Sequence, residues 1–238
     1  MKEFNLDQPM DKLIDLAINK FGEVEFHEVV VDDISIHVLQ IKRMQDYINT
    51  LMDKMRSGKG APIPLWAMIW PSSAVMGLSL SRCSFKDGAR VLEIGAGAFV
   101  NGLVLAKRGF NVTIVDVDQD ALLFSKINAL KNGVGDNVSV VHSDFKGSLG
   151  ARFDCVVGCE LLYGEGQFQV LADFLNDHLV EDDSGEIFLS LDLKRVAKDF
   201  FVCSDEYFTI MKSLTHYRDH SSGKEKPVNL FRFKRKLF

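Results

Sequence analysis

The sequence predicts an α/β fold: a doubly wound, mostly parallel, seven-stranded sheet, with an antiparallel pair at its C-terminal edge and a helix-and-hairpin extension at its N-terminus. Three observations predict it. From Ala89 onward, short apolar runs of strand type alternate with helical patterns, and continuous apolar strands separated by helices form parallel sheets covered on both faces. One of those runs ends in a glycine turn, Gly95-Ala96-Gly97, that passes directly into a helical pattern. Toward the C-terminus the alternation stops: residues 207–214 and 228–235 both read as strands, and no long helix fits between them.

The elements follow in order. Residues 9–20 carry Met10, Leu13, Ile14, Ala17 and Ile18 at helical spacing, with Pro9 suited to a first turn. Residues 24–31 and 34–41 read as strands joined at Asp32-Asp33, a hairpin. Residues 42–56 return to helical spacing, and Ser57 to Pro64 breaks the pattern as a linker. The chain therefore divides into an extension, 1–61, and a main domain, 62–238. An aromatic segment, Leu65-Trp66-Ala67-Met68-Ile69-Trp70-Pro71, leads into an apolar helix near 72–82. Strands then follow at 89–94, 111–116, 138–142, 153–158 and 186–191, interleaved with helices at 99–108, 119–131 and 166–179.

Composition narrows the function classes. Across 238 residues, 47% hydrophobic and 26% charged, a sizeable core can form and global disorder is not expected. The net charge of −5 argues against a nucleic-acid partner, whose electrostatic footprint is basic. Cys83, Cys155, Cys159 and Cys203 match no zinc spacing, so no metal is expected, and four free thiols suit a reducing compartment. The N-terminus lacks the apolar stretch of a signal peptide, and no apolar run approaches the ~18 residues of a membrane span. These features place the expected protein in the cytoplasm, away from membranes; they set no oligomeric state.

The glycine turn has acidic company. Glu93 stands two residues before Gly95, Asp116 ends the next strand and Asp144 ends the one after. Ligands bind at the carboxyl ends of such strands, where an acid can hold a ribose hydroxyl. A dinucleotide fingerprint would need Gly or Ala at the position of Val100, and it has no use for an acid at position 93. The constellation therefore suits a nucleoside without a pyrophosphate. Asp144 is placed to accept hydrogen bonds from an adenine amino group. His142 reads as a strand-end surface residue, and His216 and His220 as loop residues without a third ligand. The basic stretch Lys224 to Lys236 reads as a solvated edge strand.

Val91-Leu92-Glu93-Ile94-Gly95-Ala96-Gly97 resembles motif I of the class I, Rossmann-like methyltransferases. Asp116-Val117-Asp118-Gln119-Asp120, continuing to Asn128 and Asn132, resembles the segment after their second strand. Arg152 to Val157, with Glu160-Leu161-Leu162-Tyr163, resembles the fourth strand and Asp-x-x-Tyr motif of the family-16 group, which includes protein lysine methyltransferases. Pro64 to Pro71 is similar to that group's Trp-rich entry, closest to the electron-transfer flavoprotein β-subunit lysine methyltransferases. The resemblance covers residues 62–238. It implies S-adenosylmethionine as cofactor, held by Trp70, Glu93, Gly95, Ala96, Gly97, Asp116, Asp144 and Phe145. It implies Glu160 and Tyr163 as the residues that orient the acceptor nitrogen, most readily a protein lysine. A small-molecule N-methyltransferase of nicotinamide type and a silent, cofactor-binding regulatory module remain alternatives.

Two departures bear on the site. Phe99 stands where the family places the last glycine of motif I, and its ring either crowds the cofactor's methionine end or turns into the core. Glu160 stands where the family has Asp, one methylene longer. Trp66 and Trp70, four residues apart, would share a face if they sat on one helix, but core packing accounts for them equally.

Overall fold

Two sheets organise the chain in the computed structural model, which describes residues 4–58, 63–162, 165–192, 197–218 and 223–236. Helix α1 (Met10–Phe21) buries Leu13, Ala17 and Phe21, the inward stripe its spacing predicts. The hairpin β1 (Val24–Val31) and β2 (Ile34–Ile41) turns at Asp32, whose φ of 57° is a left-handed conformation that Asp tolerates. Helix α2 (Met44–Arg56) follows. A 3-10 turn at Leu65–Ala67 then leads to α3 (Pro71–Ser81), which starts on a proline where the missing N–H is harmless.

The main sheet comprises β3 (Arg90–Ile94), β4 (Asn111–Asp116), β5 (Val138–His142), β6 (Cys155–Cys159), β7 (Glu186–Asp192), β8 (Phe208–Arg218) and β9 (Glu225–Arg235). Its order is β5-β4-β3-β6-β7-β9-β8. The first five strands run parallel, and β9 lies antiparallel to both β7 and β8. The helices are α4 (Val100–Lys107), α5 (Gln119–Lys131), α6 (Phe168–His178) and α7 (Lys198–Asp205). Core side chains of α3, α4 and the N-terminal hairpin cover one face, and those of α6 and α7 cover the other. Strands β3 and β6 are buried almost throughout, which explains their unbroken apolar character. Chain order reverses between β3 and β6, and that reversal opens a crevice at their carboxyl ends. No described helix is long and apolar enough to cross a membrane.

The expected elements are present with small boundary shifts. Helix α7 is additional: Phe200 and Ser204 are its fully buried residues, too short a stripe to stand out by periodicity. Trp66 and Trp70 do not share a helix, since Trp66 lies in the 3-10 turn and Trp70 caps α3.

The N-terminal segment is tied to the main sheet by two asparagines of α5. Asn128 Oδ1 accepts the Leu39 N–H at 2.7 Å, and Asn132 Oδ1 accepts the His37 N–H at 2.9 Å. Asn132 Nδ2 donates to the His37 carbonyl at 2.7 Å. The two amides thus act as a substitute strand along alternate residues of β2, whose backbone groups would otherwise be buried unpaired. Phe21, Trp66 and Phe124 meet edge-on at centroid distances of 4.9–5.6 Å beside this seam.

Asn128→Ala should strand the buried Leu39 amide and cost about 1–3 kcal/mol. Chemical denaturation should show the loss, and hydrogen exchange at Leu39 should accelerate. An unchanged denaturation midpoint would mean that water replaces the asparagine.

Candidate active site

The glycine loop is held from beneath and from both sides. Gly95 and Gly97 have φ of 57° and 49°, and Phe99 follows at 62°. The Gly97 N–H donates to Asp116 Oδ2 at 3.2 Å, while the Asp118 N–H donates to Asp116 Oδ1 at 2.9 Å. Beneath the loop, Glu93 Oε2 accepts the Gly102 N–H at 2.9 Å. Ser125 Oγ donates to the Gly97 carbonyl and Asn128 Nδ2 to that of Ala98, each at 3.3 Å. A Cβ on Gly97 would press on the Trp66 carbonyl oxygen at 3.0 Å. One on Gly102 would overlap both the Phe99 ring and the Glu93 carboxylate.

Phe99 therefore resolves in favour of the core. Its ring is fully buried against Gly102, and only its backbone takes the left-handed shape that glycine would supply, at a cost of roughly 1–2 kcal/mol. The ring offsets that cost by filling the space under the loop.

Above the loop, at the carboxyl ends of β3, β4 and β6, lies a cavity of about 820 Å³. That volume suits a small-molecule or cofactor site. Gly95, Ala96 and Gly97 form its floor, Asp116 and Asp144 one wall, and Phe145, Trp70 and Glu160 other parts of the lining. Seven of the eight expected cofactor residues thus converge. The eighth, Glu93, is not in the lining; it sits under the loop and shapes it. Tyr163 lies outside the described residues. His142 bonds the Val117 carbonyl at 3.1 Å, while His216 lies exposed on β8 rather than in a loop, and His220 is outside the described residues. Among the described residues no group of side chains could hold a metal ion.

Glu160 is the most constrained of the site residues. It follows β6 directly, has φ of 54° and is almost wholly buried. Its N–H donates to the Ser190 carbonyl at 2.9 Å, and its Oε1 accepts the Asp192 N–H at 2.7 Å. Left-handed backbone in a non-glycine residue is stored strain, and strain of this kind concentrates at functional sites. On its far side a second cavity, about 300 Å³, is lined by Trp70, Pro71, Ser72, Glu160, Asp192, Tyr217 and Val228. Trp70 and Glu160 line both cavities. Between them, Ser72 Oγ meets Cys159 Sγ at 3.2 Å, and burial pushes that thiol up to about 12, so it stays protonated and is no nucleophile.

Sequence reasoning missed Asp118, Asp192 and Tyr217. Asp118 lines the larger cavity and caps α5 by accepting the Asp120 N–H at 2.9 Å. Asp192 ends β7 as Asp116 ends β4, so the same strand-end signal was available for it. Tyr217 had no such signal, because the sequence places it in a loop where the structure has a strand.

Burial sets the charge state of the loop's supports. It lifts the Glu93 carboxyl to about 8, against the opposing pull of the Gly102 N–H and with a further push from Asp116. Burial also raises Asp116, partly offset by the Asp118 and Gly97 N–H groups. The larger cavity presents Asp116, Asp118, Asp144 and Glu160 against Lys146 as its basic side chain among the described residues, and Lys146 already faces Asp144 at 3.8 Å. Such a lining disfavours a pyrophosphate. It suits hydroxyls, amino groups and a cation, so the residues present fit S-adenosylmethionine and not a dinucleotide.

The chain is similar to known proteins. A family model described as "Lysine methyltransferase" matches residues 64–209, more than half of the chain. Protein N-lysine methyltransferase METTL21A of Danio rerio is 32% identical over 127 residues, 50% of this chain and 57% of that protein. The match thus spans little more than half of the zebrafish protein's length. Ribosomal protein L11 methyltransferase of Campylobacter fetus subsp. fetus is 27% identical over 231 residues, 86% of this chain and 72% of that protein. Among solved structures, the glycopeptide N-methyltransferase MtfA complexed with S-adenosyl-L-homocysteine superposes with a TM-score of 0.54 at 16% identity. That superposition covers 69% of this chain and 90% of the other, and it shows a shared fold.

The Glu93 shift has a measurable consequence. Between its ordinary value of 4.5 and about 8, native Glu93 keeps a proton that the unfolded chain has released. Stability should therefore fall as pH rises through that window, and the raised Asp116 adds in the same direction. Glu93→Gln keeps an oxygen for the Gly102 N–H and removes the titration. The melting temperature of the variant should decline less between pH 5 and 8 than that of the parent. An identical slope would place the titration on another group.

Proposed function

This chain belongs to the lysine methyltransferase family, and we propose that it moves a methyl group from S-adenosylmethionine to the side-chain amine of a lysine in a protein. One observation carries the reading: Glu160, strained and buried, stands in the wall shared by the glycine-floored cavity and the smaller one behind it. A carboxylate in that wall is placed to meet an acceptor nitrogen. A protein acceptor is supported by both relatives, one a protein N-lysine methyltransferase and the other a ribosomal protein L11 methyltransferase.

The residues divide the work. With S-adenosylmethionine bound, Gly95 and Gly97 would let the backbone approach it, and Asp116, Asp118, Asp144 and Phe145 would hold its nucleoside. When bound, that cofactor supplies an electrophilic methyl on a sulfonium centre. Glu160 holds the acceptor nitrogen through its carboxylate, and the Trp70 indole flanks it and excludes water. The Asp192 N–H fixes one Glu160 oxygen at 2.7 Å, so the carboxylate is set before the acceptor arrives.

S-Adenosylhomocysteine should raise the melting temperature by mass action, and Asp116→Ala should largely abolish the rise. A shift with NAD and none with S-adenosylhomocysteine would refute the cofactor. Incubated with methyl-labelled cofactor and lysate, the protein should label lysine in a protein band; label confined to small molecules would overturn the acceptor class. Glu160→Gln keeps an oxygen for the Asp192 N–H and should leave S-adenosylhomocysteine affinity unchanged, while turnover on the labelled protein drops by about 10²-fold or more. Full turnover in that variant would make the carboxylate structural.

A further inference from the structure

We propose that the smaller cavity is the slot for the acceptor's ammonium group, and that Asp192 and Tyr217 are its specificity-determining side chains. The inference rests on the lysine reading above and says where the lysine enters and what selects it.

Topology puts these residues together. Strand β9 runs antiparallel to β7, so Asp192, the last residue of β7, pairs with Val228 near the start of β9. In the β8–β9 pair, Val228 faces Thr215 and Lys226 faces Tyr217. The pair therefore continues past the carboxyl end of β7 and carries Tyr217 over the edge where Glu160 and Asp192 sit. Tyr217 is half-buried and Asp192 exposed, which places the carboxylate at the mouth and the aromatic groups within.

The chemistry of the lining points to an alkylammonium. Two carboxylates, Glu160 and Asp192, line it together with an indole and a phenol. Carboxylates and aromatic faces both favour a cation and disfavour a phosphate or carboxylate acceptor. Pro71 and Val228 offer apolar wall to the methylenes of a lysine stem. Trp70 and Glu160 line both this cavity and the glycine-floored one. A chain entering past Asp192 thus delivers its nitrogen to the carboxylate already assigned to hold it. The volume, about 300 Å³, accommodates one narrow side chain and not a large ring system beside it.

The test uses n-butylammonium, the lysine side chain without its backbone, titrated into the S-adenosylhomocysteine-saturated protein and followed by ligand-observed NMR. The parent should bind it in preference to n-butanol, its neutral analogue of the same chain length. Asp192→Asn and Tyr217→Ala should each weaken the ammonium by about tenfold, with S-adenosylhomocysteine affinity and melting temperature unchanged. Tyr217→Phe should retain binding, since the ring face is what it supplies. Equal binding of the alcohol and the ammonium, or unchanged ammonium affinity in both Asp192→Asn and Tyr217→Ala, overturns the slot. Lysine labelling in lysate that persists with unaltered KM in Asp192→Asn likewise overturns the slot while leaving the lysine reading intact. Label found only in small molecules overturns the lysine reading itself.

Discussion

A buried carboxylate sets the shape of the site. Glu93 lies at the end of β3 with no solvent to stabilise its charge, and its Oε2 accepts the Gly102 N–H across the first turn of α4. That contact requires Gly102 to lack a side chain, because the same space is claimed by the Phe99 ring. The ring in turn lies inward because Phe99 adopts the left-handed backbone between loop and helix. Carboxylate, glycine and ring interlock, and the loop above them has one available course. Asp116 completes the arrangement from the neighbouring strand by holding the Gly97 N–H. The ligand side of the loop is thus determined by groups beneath and beside it.

The N-terminal segment also supports this loop. Its helix and hairpin could not bury their apolar faces alone, and they do so against α5 and the 3-10 turn. Trp66 is the point of transmission: its ring packs among Phe21 and Phe124, and its carbonyl oxygen lies against Gly97. Asn128 joins the two halves directly, since it accepts from Leu39 of the hairpin and donates to Ala98 of the loop. A segment that reads in sequence as an appendage is, in its contacts, part of the support of the glycine loop.

What the sequence disclosed follows from where the physical signal was local. Strand runs such as Val91 to Ile94 and Val112 to Val115 are apolar because both faces are covered, and a glycine turn after the first of them marks a ligand edge without any knowledge of the rest. Asp116 and Asp144 were legible for the same reason, as acids at strand tips. The role of Glu93 was not, because spacing alone cannot tell an acid aimed at a ligand from one aimed at a backbone N–H nine residues on. Nor could it choose between the two directions of the Phe99 ring, which depend on the space left by Gly102. Spacing left Trp66 and Trp70 open between a shared helical face and core packing; no helix joins them, because Pro71 holds Trp70 extended and begins α3 instead. Tyr217 was hidden by distance, since its neighbours at the site come from α3, β6 and β7.

That distance has a topological cause. In a sheet wholly wound by right-handed crossovers, each added strand arrives from a helix and contributes a short loop to the carboxyl edge. Beyond β7 this chain does otherwise. Helix α7 leads into β8, the outermost strand, and β9 returns between β8 and β7. The return strand is antiparallel, so the end of β8 and the start of β9 lie at the same edge as the carboxyl ends of β6 and β7. Backbone hydrogen bonds along eleven paired positions hold this overhang, from Phe208 opposite Arg235 to Arg218 opposite Glu225. A paired ladder fixes the position of side chains such as Tyr217 more firmly than a loop of equal length would. The antiparallel insertion therefore supplies the part of the edge that the parallel strands cannot, a rigid wall facing Glu160 from the side opposite the glycine loop.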